Sequence, residues 1–324
     1  MDLLSNLAAQ TLLLLLLLAL IIATTRRWFA FAAVILACAV QATPLLLHRA
    51  AILPVHTSTT SEPADAVRFL HYNDSCMSDK SDIHALMDGS GADVLSILCP
   101  PVKMQFEVIY GHGLEDKYPG KLVRQWSSVP NATSTEVSAG FVVSRWPITP
   151  YDCSFLGVQS QQFIAGIVER PLGRFALVAL HPRSPRTGAR WREGNATIES
   201  LVVLSRKLQS EGFPVVVLAD LNSTPTGWRS LEACSEGALR RAKPLLALGG
   251  TYPDVVPLDI RTGRSSGLPG NWPASIAIDD ALVSPGIDVL GWETRARLRS
   301  EHRPVIVDLR IPAQPASAPN PGGR

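Results

Sequence analysis

The sequence predicts one α/β domain carried behind two apolar helices, and three observations lead there. Residues Leu7–Ala23, including "TLLLLLLLALIIA", and Trp28–Leu47 are almost unbroken apolar runs. Each is close to the roughly 20 residues that cross a bilayer as a helix. From Asp65 to Ile311 short β-branched runs alternate with stretches of helical period, the pattern of an α/β domain. Several of those β-branched runs stop abruptly at acid, amide or imidazole groups.

The chain has 324 residues, a formal net charge of +2 and 46% hydrophobic residues, the last figure raised by the N-terminus. Length admits one or two domains. A near-neutral charge with no basic stripe argues against long duplex DNA as a partner, because phosphate neutralisation needs a clustered cationic face.

Between the apolar runs stands Thr24-Thr25-Arg26-Arg27, short enough only for a tight hairpin. A signal peptide is the rival reading of the first run, but its positive charge should precede the apolar stretch, where Asp2 stands instead. The expectation is therefore a two-helix transmembrane hairpin over 1–50. The positive-inside rule puts Arg26 and Arg27 in the cytoplasm and everything after His48 outside, with His48 and Arg49 pulling weakly the other way. This makes the chain a multi-pass cell-membrane protein with an extracytoplasmic domain and the membrane as a partner. Residues 51–64 contain "PVHTSTTSEPA" and read as a linker. The domain occupies 65–311, and 312–324, "PAQPASAPNPGGR", is a disordered tail by composition.

Within the domain, Val67–Tyr72 and Asp93–Leu98 are strands with a helix over Asp79–Gly89 between them. Gly140–Ser144 and Phe175–Leu180 are further strands. Asn195–Gly212 is helical, since Ile198, Leu201, Val202, Leu204 and Leu208 repeat near the 3.6-residue period. Val215–Ala219 is wholly apolar, as for a strand buried on both faces. Ser275–Ile278 reads as another strand, and "RLRSEHRPVIVDLRI" closes the domain with the strand Val305–Leu309. The chain contains no internal repeat.

Polar residues mark where these strands end. Val67–Tyr72 runs into Asn73-Asp74, Phe175–Leu180 into His181-Pro182, and Val215–Ala219 into Asp220-Leu221-Asn222. Ser275–Ile278 runs into Asp279-Asp280, and Glu301-His302 precede the last strand. Each has a plain structural reading: Asp and Asn favour turns, and a histidine beside a proline is ordinary in a loop. Together they place acid, amide and imidazole groups on strand ends, where active sites of α/β proteins are commonly assembled.

The order of these segments resembles the endonuclease/exonuclease/phosphatase superfamily, which includes pancreatic-type deoxyribonuclease, abasic-site endonucleases, neutral sphingomyelinases and inositol-phosphate phosphatases. "VRFLHYN" is similar to the family's first strand with its Asn, and "GADVLSILCP" to its second. "GFVVSRWPI" resembles the Leu-Ser-Arg-x-Pro-Ile turn and "VALHPRSP" the His strand. "VVVLADLNSTP" resembles the Gly-Asp-Phe-Asn-x-x-Pro signature and "GGTYP" the Gly-x-Thr-Trp-Pro turn. "IAIDDALVS" and "SEHRPVIVDL" resemble the last two strands. The matches run in family order over 66–311, and two N-terminal membrane helices suit a bacterial subgroup. The resemblance implies a four-layer α/β/β/α sandwich of two mainly antiparallel sheets.

It also implies hydrolysis of a phosphate ester by metal-assisted water. Asp220 would be the general base, Asn222 would hydrogen-bond the phosphoryl oxygen and His302 would donate to the developing charge. Asp279 would hold His302 in its tautomer, and His181 would sit on the leaving-group or phosphate side. The family binds a divalent cation, usually Mg2+, through the Asn of the first strand, a Glu ending the second and the acid before the final His. Asn73 and Glu301 fill two of these positions, but Cys99 stands at that of the principal carboxylate. A hard cation takes oxygen ligands and binds a thiol poorly. Asp280 also replaces the usual His, and Ala219 the usual Gly.

The alternatives are an active phosphodiesterase or phosphatase with a rebuilt metal site, using Asp74 or Glu301 oxygens, and a degenerate member that binds phosphate ligands without turnover. Nucleic acid, phospholipid and sugar phosphate all stay open as substrates. Nothing in the sequence indicates an oligomer, so a monomer is expected. The family arrangement would bring Cys76 and Cys99 to one edge, where a disulfide and two unrelated thiols are both open readings. Asn131, Asn195 and Asn222 stand in glycosylation sequons by form.

Overall fold

The computed structural model describes residues 8–24, 28–46, 65–75, 80–100, 117–127, 137–244, 250–252, 276–295, 298 and 300–313. The expected linker 51–64, most of the expected tail, and Cys76 lie outside the described residues.

The two apolar runs form helices α1 (Ala8–Thr24, 17 residues) and α2 (Trp28–Leu46, 19 residues), which pack on each other. At 1.5 Å per residue α1 reaches about 26 Å, less than the roughly 30 Å of a hydrocarbon core. The last turns of α2 carry Gln41, Thr43 and Pro44. Among the described residues no helix is long and apolar enough to cross a membrane. The expected transmembrane hairpin is thereby corrected, and with it the multi-pass membrane localisation, the membrane partner and the extracytoplasmic placement.

The rest of the described chain forms two six-stranded sheets. In the first the spatial order is β11-β12-β1-β2-β4-β3, comprising β1 (Ala66–Asn73), β2 (Val94–Leu98), β3 (Gly120–Ser127), β4 (Val137–Ser144), β11 (Asp288–Thr294) and β12 (Val305–Arg310). The second runs β5-β6-β7-β8-β10-β9. Its strands are β5 (Ile148–Pro150), β6 (Phe163–Arg170), β7 (Gly173–Leu180), β8 (Val215–Asp220), β9 (Arg240–Arg241) and β10 (Asp279–Val283). The β1–β2 and β7–β8 pairs are parallel, and the other pairs are antiparallel.

Alternation along each strand builds the layers, because successive side chains point to opposite faces. Val67 and Phe69 of β1 face the second sheet and share one core with Phe175, Leu177, Val216, Leu218 and Ala281. Leu70 and Tyr72 face outward and pack on Ile83 and Met87 of helix α3 (Lys80–Ser90). Across the molecule Val178, Val215 and Val217 turn outward beneath Ile198, Leu201, Leu204 and Leu208 of α4 (Gly188–Ser210) and Ala233 of α5 (Trp228–Ser235). The result is the expected α/β/β/α sandwich. Every residue of β8 is buried, as its unbroken apolar run requires.

Two boundaries differ most from the sequence reading. Helix α4 starts at Gly188, capped by the Thr187 hydroxyl, which accepts from Arg190 N. Its buried face begins only at Gly194, so the apolar period is silent over the first turns. The strand expected at Ser275–Ile278 instead starts at Asp279, since Ile276 makes only an isolated bridge to Tyr252.

Candidate functional site

Strand direction gathers the polar ends on one edge. The parallel partners β1 and β2 finish together, with Asn73 beside Leu98. β12 runs antiparallel to β1, so its beginning, and His302 just before it, lies at the same end. In the second sheet β7 and β8 finish together, and β10 begins there with Asp279 directly opposite Asp220. Stacking the sheets brings the two groups face to face.

Asp220 is the hub. Its Oδ2 accepts from Asn73 Nδ2 at 2.9 Å and lies 3.2 Å from His181 Nε2, while Oδ1 accepts from Asn222 N at 2.8 Å. Burial pushes its carboxyl up, but the hydrogen bond and charge of His181, then the charge of His302, hold it well below the usual carboxylate range. Asp279 Oδ2 lies 2.9 Å from His302 Nδ1. Burial opposes a charge on His302, yet Asp279 and then Asp220 outweigh it and raise its pKa to about 9. His302 is thus an imidazolium near neutral pH. Its ring packs on Tyr252 at 4.7 Å between centroids, and its backbone N–H donates to Ser300 Oγ. Thr251 Oγ1 accepts from the backbone of Ile278 and Asp279, fixing the start of β10.

Of the sequence-predicted residues, Asn73, Cys99, His181, Asp220, Asp279 and His302 come together. Asn222 is adjacent, with a positive φ of 49° and its amide donating to Pro182 O at 3.1 Å. Glu301 is exposed, and its charge helps raise the pKa of the neighbouring Tyr252 hydroxyl. Asp74 is buried, with its backbone N–H on Leu98 O. Asp280 turns away from Asp279 to a buried ion pair with Arg241 at 2.7 Å and also accepts from Trp292 Nε1. Two contributors escaped the sequence reading. His71 lies two residues before Asn73 on the same strand face and approaches Asp279, a placement that the two-residue period of β1 could have exposed. Tyr252 stands in the quoted "GGTYP" segment, but nothing local marks a tyrosine as the wall of an imidazole.

The expected cation position does not fit a hard ion. Cys99 offers sulfur, and its Sγ lies 3.2 Å from His181 Nδ1. Asn73 turns its amide nitrogen toward Asp220, while its Oδ1 accepts from Ser75 N. Cys99 is a free thiol. The metal set expected from Asn73, Cys99 and Glu301 is therefore not assembled. Among the described residues the one convergent group is Asp220, Asp279 and His302, with ligand atoms within 4.8 Å of one another. Within it Asp279 Oδ2 is paired with His302 Nδ1 and Asp220 Oδ2 with Asn73 and His181, while Asp279 Oδ1 has no hydrogen-bond partner among the described residues.

Residues 73–302 match the model of the Endonuclease/Exonuclease/phosphatase family. No curated protein matches the sequence. Among solved structures, the endonuclease/exonuclease/phosphatase from Bacteroides vulgatus shares 15% identity at a TM-score of 0.53, covering 76% of this chain and 99% of that one. The 3′ phosphatase NExo from Neisseria, bound to a product DNA hairpin, shares 11% at 0.52, covering 74% and 98%. The catalytic domain of human Nocturnin with a bound sulfate anion shares 13% at 0.51, covering 77% and 96%. At such identities the likeness is one of fold.

Proposed function

The chain belongs to the endonuclease/exonuclease/phosphatase family, and on that footing we propose that the shared strand edge hydrolyses phosphate esters. The single observation that carries this reading is the Asp279–His302 pair beside Asp220, which supports a buried imidazolium on that edge. A positive group preorganised where negative charge grows stabilises a phosphoryl transition state by several kcal/mol, typically about 3–4 per donor.

In this reading His302 donates to the phosphoryl oxygens and Asp279 holds its Nδ1. Asp220 polarises the water that frees the phosphate, His181 stands on the leaving-group side, and Asn222 lends its remaining amide N–H to a phosphoryl oxygen. Family members generally use a divalent cation. With a thiol at the end of β2, dependence on Mg2+ is expected to be weak, and no step here passes through an ion. The domain is proposed to span 65–311 and to act as a monomer on a nucleic-acid, phospholipid or sugar phosphate ester.

A second reading, a phosphate-binding module without turnover, draws on the same replacement of carboxylate by Cys99. The full chain is assayed on a chromogenic phosphomonoester and phosphodiester with Mg2+, Mn2+, Ca2+ or EDTA. Hydrolysis lost in His302→Ala supports the phosphoesterase. Phosphate binding with no hydrolysis under any condition supports the module.

A further inference from the structure

The thiol at the end of β2 has its own geometry. Cys99 Sγ lies 3.2 Å from His181 Nδ1, and the opposite ring nitrogen of His181 lies 3.2 Å from Asp220 Oδ2. The imidazole therefore stands between a thiol and a carboxylate, with one nitrogen turned to each. A cation cage would require the three donors to converge on one point, and the convergent group at this site does not include the sulfur. A line of nucleophile, base and orienting acid is instead the arrangement that activates a weak nucleophile. Cys99 also adopts a φ of 51°, a left-handed conformation that costs a side-chain-bearing residue about 1–3 kcal/mol and tends to occur at functional sites. Strain alone would carry nothing, but here the strained residue ends with its sulfur on the imidazole. The side chain of His181 keeps 22% of its surface exposed, so the relay opens toward solvent.

Resting on the phosphoesterase reading above, we propose that Cys99 is the nucleophile of a two-step phosphoryl transfer. In the first step Cys99 acts as the thiolate of a thiolate–imidazolium pair, its proton already held on His181 Nδ1, and Asp220 Oδ2 accepts the hydrogen bond from Nε2–H. Sulfur attacks phosphorus, a P–S bond forms, and the ester P–O bond breaks. The departing oxygen takes the proton from His181 and leaves as an alcohol. In the second step water attacks phosphorus, its oxygen bonds there, and the P–S bond breaks. Sulfur leaves with the electron pair, and one water proton passes to His181, which restores the thiolate–imidazolium pair. The sum is ester plus water giving alcohol plus phosphate, without an oxidant or a reductant.

The other described thiols provide an internal control. Cys99 is 7% exposed, against 8% for Cys38 and 5% each for Cys153 and Cys234, so differences in reactivity report environment rather than burial. The full-length protein is treated with iodoacetamide and mapped by peptide mass spectrometry. Cys99 is expected to react at least about tenfold faster than Cys153 and Cys234, with the excess lost in His181→Gln, because the thiolate is the reactive form. In parallel, p-nitrophenyl phosphate is hydrolysed in EDTA. Cys99→Ser is expected to lose at least about 100-fold in rate, and acid-quenched wild-type enzyme should carry a phosphoryl group on the Cys99 peptide. Slow alkylation of Cys99, or a Cys99→Ser rate within about threefold of wild type, overturns the nucleophile while hydrolysis itself still supports the phosphoesterase. Rapid alkylation with no hydrolysis of any phosphate ester overturns the phosphoryl step and the parent reading together.

Discussion

His71 Nε2 and Asp279 Oδ1 face each other at 3.8 Å across the seam between the two sheets. Both side chains are buried, and neither atom has a hydrogen-bond partner among the described residues. Burial, above all, pushes the pKa of His71 down to about 3 against the pull of Asp220. The folded protein therefore keeps His71 neutral where the unfolded chain binds a proton.

That difference fixes a sign. As pH falls below about 6.5 the unfolded state gains a proton that the folded state refuses, so stability declines toward pH 3. Urea unfolding should show a loss of about 2–3 kcal/mol between pH 6.5 and 4.5, at 1.36 kcal/mol per unit. His71→Gln should flatten this limb, and an unchanged slope would assign it to other groups.

His302 sets the opposite limb. Its folded pKa is raised to about 9, chiefly because Asp279 overcomes burial. The stabilisation is complete below about pH 6.5 and disappears as pH rises through about 9. Thermal midpoints should therefore fall over that window in the wild type and stay level in His302→Gln. The same variant should lose about 100- to 1,000-fold in hydrolysis.

Asp220→Asn tests the hub. The substitution preserves volume, but it turns an acceptor of three hydrogen bonds into a group that also carries donors. Turnover on the chromogenic phosphomonoester should fall by at least about 100-fold, while circular dichroism stays native-like. A small drop in stability, on the order of 1–3 kcal/mol, is expected from the mispaired neighbours. Activity close to wild type would move the chemistry off this edge.

Asp280 should matter to the fold alone. Its carboxylate pairs with Arg241, both side chains at 0% exposure, and also accepts from Trp292. Asp280→Ala leaves a buried guanidinium uncompensated, a change that costs about 3–5 kcal/mol. Chemical denaturation should record this loss with the hydrolytic rate per folded molecule unchanged.

Much of this was legible in the sequence because two signals agree. Unbroken apolar runs such as Val215–Ala219 announce strands buried on both faces, and the polar residue that stops each run announces its edge. Alternating and mixed strands hide better: Phe163–Arg170 contains Gly166 and ends in Glu169-Arg170, and β11 carries Gly291 at a register shift. The first turns of α4 escaped because they are exposed and have no apolar face to repeat. Composition also misled. Leucine content does not measure helix length, and the N-terminal runs form helices too short or too interrupted for the role expected of them. The partners of Asp280 and His71 lie across the fold and leave no local trace.

The route of the chain between the sheets has a consequence for its synthesis. It lays down β1 to β4, leaves to build the whole second sheet, and returns with β11 and β12 to finish the first. Until that return, the flank of β1 that β12 will cover is an open backbone edge, and such edges invite pairing with other chains. The same closing segment delivers His302. A ribosome-bound or truncated product ending before residue 300 would therefore be both sticky and inert, and the strand that cures the first defect arrives together with the group that cures the second.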